Sequence, residues 1–516
     1  MDEAFFGFAR TGKFNDKNYP FFLNWNEDLS AGKIFSVLGE EMKEKLKVKS
    51  GKQEIKISQS DNIIMVEEAD LLIQRPKLFV DAIMEINRQN KFRRLIYTPL
   101  IGDPYLFPIL ALLGVSIQDN FISDMDGIEK IAYRTLGRMK TERDSREENS
   151  RFLLNISEDI QNSIRNSTLF DIVEKFSISS KAVEIFRILL NDYQSDLEEV
   201  FPRRTQKIMA SSNLSLLRPD ITRFQDYMKN SYEKPDARTI CLFLPCSARK
   251  PYSESKSHKR IFEAIGDLRD YIHEVILTSP IGIVPRELEE TYPAAFYDIP
   301  VTGRWSGDEQ AMLSGILKGY LNRNRYGKSF AFFTEDYMFA AEYLPEGTEI
   351  IEWNKKNDSS YSELRNRIAQ YVTEAMPTRA REGMREKFNA IIDYQFGKWL
   401  LPYTSKGKII RNYNQFMLVI DGKPSLIYQQ EKGKMAINRN FTAPFIENGK
   451  FLVEIDDFKP TANIYAVGIL SATPEIRTED EIVLHHAGQA KGVGTAKMPV
   501  SAMVNLSKGV AIKVRN

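Results

Sequence analysis

The sixteen residues PCSARKPYSESKSHKR, Pro245 to Arg260, set a thiol, a lysine, a tyrosine, four serines and a histidine directly behind an apolar run. A cysteine thiolate attacks electron-poor carbon, and cations or a helix N-terminus nearby favour the thiolate form. Cys246 is therefore the expected nucleophile. Lys250 and His258 are the expected proton donors, because an attacked carbon–nitrogen or carbon–oxygen bond must gain a proton as it opens. Arg249, Lys250, Lys256, Lys259 and Arg260 make the same loop suited to an anion.

The elements that must hold this set follow from the pattern around it. Arg238 to Cys246 (RTICLFLPC) reads as a buried strand that ends where Pro245 removes a ladder donor. Ile261, Ile265, Leu268 and Ile272 recur at helical spacing, which predicts a helix over 258–272 with Ser257 as its N-cap. Cys241 and Cys246 lie five residues apart on the strand, about 16 Å, so they cannot pair as a disulfide. With two cysteines in the chain, a thiolate-rich zinc site is not expected, and neither is a cofactor.

Composition narrows the class. A chain of 516 residues implies three to five domains, and 71 Lys+Arg against 70 Asp+Glu argues against a uniformly basic polyanion binder. No apolar run approaches the roughly 20 residues of a membrane span, and MDEAFFGFAR lacks the shape of a signal peptide, so a cytoplasmic setting without membrane partners is expected. No HExxH or Walker-type motif occurs, which speaks against metalloprotease and nucleotide hydrolase chemistry.

Along the chain, 94–99, 104–113 and 115–119 read as a βαβ unit, and about 149–230 reads as mostly helical. A second α/β region spans 236–376, with strands near Arg238, His273, Ser329 and Thr348 and helices near Gln310 and Ser360. Beyond Pro377 short strands and turns take over, including Phe416–Ile420 before an Asp421-Gly422 turn. His273 is expected to be structural, and His485-His486 to sit in an exposed turn.

Several strings in the last quarter occur in order: DYQFG at 393–397, PFIENGKFLV from Pro444, YAVGILSATPEIRTEDEIVL from Tyr465 and GQAKGVGTAKMPVSAM before KGVAIKVR. This series resembles the C-terminal half of archaeal tRNA-guanine transglycosylases and their relatives, a small α/β module followed by a PUA β-barrel that docks on tRNA. Residues 381–440 hold eleven Lys+Arg against five Asp+Glu, a local excess suited to an RNA backbone. PCSARKPYSESKSHKR, together with SPIGIVPRELEETYPAAFYDIPVTGRW at 279–305, resembles the archaeosine synthase family. Ile261 departs from the family motif, which usually ends in an aromatic. The N-terminal half lacks the zinc cysteines and base-exchange nucleophile of transglycosylases.

The resemblance implies a multidomain α/β chain. Residues 1–235 would be a degenerate transglycosylase-like (β/α) barrel, 236–376 a Rossmann-like catalytic core, 377–440 a small RNA-binding module and 441–516 a PUA domain. It also implies archaeosine biosynthesis, in which an amine, free lysine in the first instance, adds to the nitrile of 7-cyano-7-deazaguanine in the D-arm of tRNA. A radical-SAM partner enzyme then acts on the adduct; a homodimer is left open. Two routes are open for the addition. Cys246 could form a thioimide that the amine displaces, or the amine could attack directly with Glu287 or Asp298 as base. Arg286 would pair with the lysine carboxylate, and Tyr252 or Trp305 would stack on the base. Ser247, Arg249, Ser255, Ser257, Gly282 and Thr302 complete the expected substrate-binding set. The rival functions are a base-exchange transglycosylase and a non-catalytic tRNA-binding subunit.

Overall fold

The structure is a computed structural model that describes residues 3–515 except 25–33, 52, 178, 301–302, 355–357, 378, 380–382 and 413–414. It forms two compact units, residues 207–444 and residues 1–206 together with 445–516.

The unit over 207–444 is built on a five-stranded sheet. Ile240–Pro245 lies at its centre, flanked by Ile272–Thr278 and then Gly282–Pro285 on one side, and by Lys328–Phe333 and then Glu349–Glu352 on the other. All neighbours are parallel except Gly282–Pro285, which returns antiparallel from Ile272–Thr278. The central strand is ICLFLP, buried at every position, as a parallel strand covered on both faces must be. Helix Lys256–Ile265 packs with Ser359–Ala375, and Pro219–Asn230 packs with Gly307–Arg323. The chain leaves the central strand first to one side and later to the other, so right-handed crossovers put the two helix pairs on opposite faces. Pro219–Asn230 thus belongs to this unit, which begins well before residue 236.

Two local expectations are corrected. The helix after the motif runs Lys256–Ile265, because Gly266 adopts a positive φ of 51° and the chain tightens into a 3-10 turn; Ile272 opens the next strand. Its N-cap is Ser255, not Ser257: the Ser255 hydroxyl accepts the His258 amide at 3.2 Å. The unit ends in a four-stranded antiparallel sheet over Lys408–Ile437, where Gln415–Ile420 and Lys423–Gln429 are joined by Asp421-Gly422. Both turn residues have positive φ, 47° and 74°, the geometry of a two-residue hairpin.

The other unit contains an open six-stranded sheet in the order 21–23, 115–119, 95–97, 63–66, 53–59, 44–50. Its first four strands are parallel and its last three run antiparallel in sequence, so it forms half of a barrel wall. Among the described residues no pairing closes it. The edge strand Glu44–Ser50 (EKLKVKS) carries three lysines, a pattern that discourages further pairing. The predicted βαβ unit is present as Leu95–Tyr97, Phe107–Leu112 and Val115–Asp119.

A second six-stranded sheet of this unit uses residues 452–515. Gly492 and Gly494 fall within strand Gln489–Ala496, and a Cβ at Gly494 would come within 2.8 Å of the Lys513 carbonyl. His485 and His486 end strand Glu481–His486, and His486 Nδ1 lies 2.8 Å from the Ile455 carbonyl; the turn itself is Ala487-Gly488. Asp480, only 1% exposed, accepts Arg203 Nε at 2.9 Å and the Arg477 amide at 2.8 Å. Removing a carboxylate so placed strands a partly buried guanidinium and an amide, so Asp480→Ala is expected to destabilise this unit by about 3 kcal/mol. Thermal unfolding should show a lowered midpoint; an unchanged midpoint would mean that the pair does not hold these segments together.

Candidate active site

Strand order reverses at Ile240–Pro245: the next strand lies on one side and Lys328–Phe333 on the other. In open α/β sheets the crevice beyond the carboxyl ends at such a point collects ligands, because the following loops diverge there. Cys246 is the first residue past the central strand, and Thr334–Tyr337 follows the neighbouring one. The two loops meet. Tyr337 Oη donates to Cys246 Sγ at 3.1 Å and accepts the Cys246 amide at 3.2 Å. Burial pushes the Tyr337 phenol well above its usual range, so it remains a proton-bearing donor facing sulfur. Cys246 is half-buried and free, whereas Cys241 is fully buried in the strand.

Lys250 joins this group. Its ammonium stands 3.8 Å from the centre of the Tyr297 ring, and burial lowers its pKa, partly offset by the neighbouring Cys246 and Asp298. Behind it, Tyr297 Oη lies 2.9 Å from Tyr252 Oη and 2.5 Å from Thr278 Oγ1. Trp305 closes the other side, with its ring centroid 5.3 Å from that of Tyr337 and 5.2 Å from that of Phe339. Cys246, Lys250, Tyr337 and Trp305 thus converge at one strand end.

Other expected residues have different work. His258 is fully buried; its Nε2 lies 3.1 Å from the Pro245 carbonyl, and Arg286 Nη2 lies 2.9 Å from its Nδ1. Since a carbonyl can only accept and a guanidinium can only donate, Nε2 carries the proton and Nδ1 is bare. Burial and Arg286 hold the imidazole pKa down to about 3, so His258 is a neutral brace rather than the expected proton donor. Arg286 does not await a lysine carboxylate. It is bonded to Glu274 at 2.6 Å and Glu289 at 2.7 Å, and Glu289 accepts the Ser253 amide at 3.0 Å. Burial alone would raise Glu274, but Arg286 and Arg269 outweigh it and hold the carboxyl down to about 2.

Glu287 lies at the wrong end of the sheet for a base. It accepts Tyr232 Oη and faces His273 Nε2 at 3.2 Å, and His273 pairs across the ladder with Cys241, four residues upstream of Pro245. Burial pushes Glu287 up, but His273 and the hydrogen bonds reverse this, leaving it below its usual value. Tyr252 is 0% exposed, so it cannot stack on an incoming base. Gly282 has a φ of 92°, and a Cβ there would come within 2.4 Å of Ile316, so its requirement is packing. Ser255 is the helix cap and Ser257 its neighbour at 3.2 Å. Asp298 is half exposed and held by Lys207 at 2.8 Å. Ser247 donates to the Arg249 carbonyl, and Arg249 pairs with Glu254 in solvent. Thr302 lies outside the described residues.

Tyr337 is the residue that sequence reading missed. The signal was its place just after strand SFAFF, next to the central strand in the sheet.

Of the cavities that border the sheet among the described residues, two lie at different ends. One of about 520 Å³ lies near Lys234, Glu287 and Asp393; its charges are largely paired, as in Lys398–Glu233 and the Arg379 pair with Asp270. The other, of about 370 Å³, is lined by Ser279, Pro280 and Trp305, at the end that carries Cys246.

A family described as a domain of unknown function, DUF5591, matches residues 221–368, and the PUA domain family matches residues 457–516. The chain is similar to a solved structure of AF0587, a protein of unknown function, at 26% identity and a TM-score of 0.45, covering 57% of this chain and 98% of that one. It is 28% identical to the archaeosine synthase of Methanocaldococcus jannaschii over 88% of this chain and 81% of that protein. It is 45% identical to the archaeosine synthase subunit alpha of Thermoplasma acidophilum, over 100% of this chain and 99% of that protein. At that identity and coverage, the chain belongs to the archaeosine synthase family.

Proposed function

We propose that this chain acts in archaeosine biosynthesis, adding an amine to the nitrile of 7-cyano-7-deazaguanine in tRNA through a covalent Cys246 intermediate. The observation that carries this reading is the Cys246 thiol at the sheet's switch point, held by the Tyr337 phenol with Lys250 alongside. The Cys246 thiol releases its proton to water and sulfur adds to the nitrile carbon; the Lys250 ammonium gives a proton to the nitrile nitrogen, forming a thioimide, and is reprotonated from water. The incoming amine adds to that carbon, loses one proton and expels the Cys246 thiolate. The net change is addition of the N–H bond across the nitrile, leaving an amidine. Tyr337 stabilises the thiolate each time it appears.

The direct route has less support, since Glu287 sits at the far end of the sheet and Asp298 is held by Lys207 in solvent. Free lysine is the proposed amine, and a radical-SAM enzyme the proposed consumer of its adduct. In this reading residues 1–206 are a transglycosylase-like remnant, 207–376 the catalytic core, 377–440 an RNA-binding module and 441–516 the PUA domain.

Nitrile-bearing tRNA incubated with the protein and a panel of amines, followed by nucleoside mass, tests the reaction. Cys246→Ser is expected to give no adduct while binding tRNA as before; full turnover would rule out the covalent route. Tyr337→Phe removes one charge-assisted hydrogen bond and should lower kcat roughly 10- to 100-fold, with little change in KM.

His258 gives a pH test of its structural role. Its folded pKa of about 3 lies below the unfolded value near 6.5. The unfolded state therefore binds the extra proton first, so stability is full above about pH 6.5 and falls as pH drops toward 3. Glu274 adds to the loss below about pH 4.5. His258→Gln should flatten the dependence between pH 6.5 and 4.5 in chemical denaturation; an unaltered slope there would show that His258 titrates freely.

A further inference from the structure

The cavity of about 370 Å³ at the same end of the sheet as the thiol falls within the size range of small-ligand sites, roughly 300–1,000 Å³. Its floor holds an unsatisfied group. Ser279 is 8% exposed, and its hydroxyl has no hydrogen-bond partner, whereas the Tyr252, Tyr297 and Thr278 hydroxyls at the same end of the sheet bond one another. A buried donor without a partner is unfavourable unless a ligand supplies one. Trp305 forms an aromatic wall, and Glu309 lines the same space with one carboxylate oxygen committed to the Ser306 amide at 2.8 Å. The short segment Ala210–Asn213 forms the opposite lip, with Ser211 exposed.

We infer that this cavity receives a guanine-type nucleobase swung out of the RNA, stacked on Trp305 and hydrogen-bonded by Ser279 and Glu309, with its C7 substituent directed to Cys246. The inference rests on the reaction proposed above. The physical match is specific. A guanine-type edge offers N–H donors that suit a carboxylate and an O6 acceptor that suits a hydroxyl. An aromatic wall stacks on an extruded base. Trp305 also packs on Tyr337, which holds the sulfur, so a base against Trp305 lies next to the nucleophile. The segment 210–213 precedes the PCSARKPYSESKSH motif by more than thirty residues and acts as a selectivity lip that the motif does not include.

The test measures binding of free 7-cyano-7-deazaguanine to the full-length Cys246→Ser protein by tryptophan fluorescence, with Trp305→Phe identifying the responding residue. Ser211→Trp, at an exposed position, fills the mouth without disturbing the core. It should raise Kd for the base, and KM for nitrile-bearing tRNA in the Cys246 protein, at least tenfold, while affinity for unmodified tRNA stays the same. Ser279→Val should raise both constants roughly tenfold, with the thermal midpoint confirming the fold. If Ser211→Trp and Ser279→Val leave Kd and KM unchanged, the base does not bind here, even where wild-type protein forms amidine normally. If the base binds with the expected sensitivity but no amine is ever added, the pocket stands and the proposed reaction falls.

Discussion

Arg286 is buried in the unit over 207–444, between Glu274, Glu289 and the bare nitrogen of His258. Two carboxylates more than offset one guanidinium, and the surplus negative charge is met by Arg269 on Glu274. Each member is secured by the others, and removing any one would strand a buried charge at about 3–5 kcal/mol. What this network achieves is positional. Through His258 it grips the Pro245 carbonyl, one residue before Cys246, and through Glu289 it grips the Ser253 amide, in the middle of the motif. The loop is thereby pinned at its start to the central strand and at its middle to the turn after Pro285. A nucleophile held within fractions of an ångström needs such an anchor, because small misplacements cost rate steeply.

The same sheet carries a second polar cluster at its opposite end, and the two differ in how far their groups are satisfied. Tyr232, His273, Tyr326, Tyr320 and Glu287 bond one another in a closed group, with His273 engaged by both ring nitrogens. Groups so fully satisfied stiffen a fold and have little left to offer a substrate. At the carboxyl end, by contrast, the thiol is half-buried, Lys250 is desolvated over an aromatic face, and the Ser279 hydroxyl is unmet. Incomplete satisfaction is what a binding site looks like before its ligand arrives.

The sequence made the strands and the motif legible because their signals are local. ICLFLP is too apolar to be anything but buried, and Asp421-Gly422 between two β-prone runs is a hairpin by turn chemistry alone. The motif's residue types showed that this loop was special, and Cys246 and Lys250 do meet at the site. The division of roles within it was not legible. His258 and Arg286 read as a proton donor and an anion clamp because such residues are reactive in solvent; burial and mutual pairing, which depend on long-range packing, turned them into braces. Tyr337 stayed hidden for the same reason, since it stands 91 residues from the thiol and only strand order brings it there. The open half-barrel was likewise invisible, because closure depends on what the edge strands meet.

The motif loop divides into an inward half and an outward half, and this division fits a site that must accept a macromolecule. Tyr252, Ser255 and His258 are buried and bonded within the protein, so they cannot move without loss of the anchor. Ala248 and Arg249 are exposed, and Arg249 holds only Glu254, with 66% of its own side chain in solvent. An ion pair this exposed contributes little, so exchanging Glu254 for an RNA phosphate costs little and gains a bidentate partner. Cys246 and Lys250 thus lie at the seam between a rigid half that fixes the thiol and an exposed half free to adjust. Strong buried charge pairing is tolerable on one side of that seam because it is absent from the other.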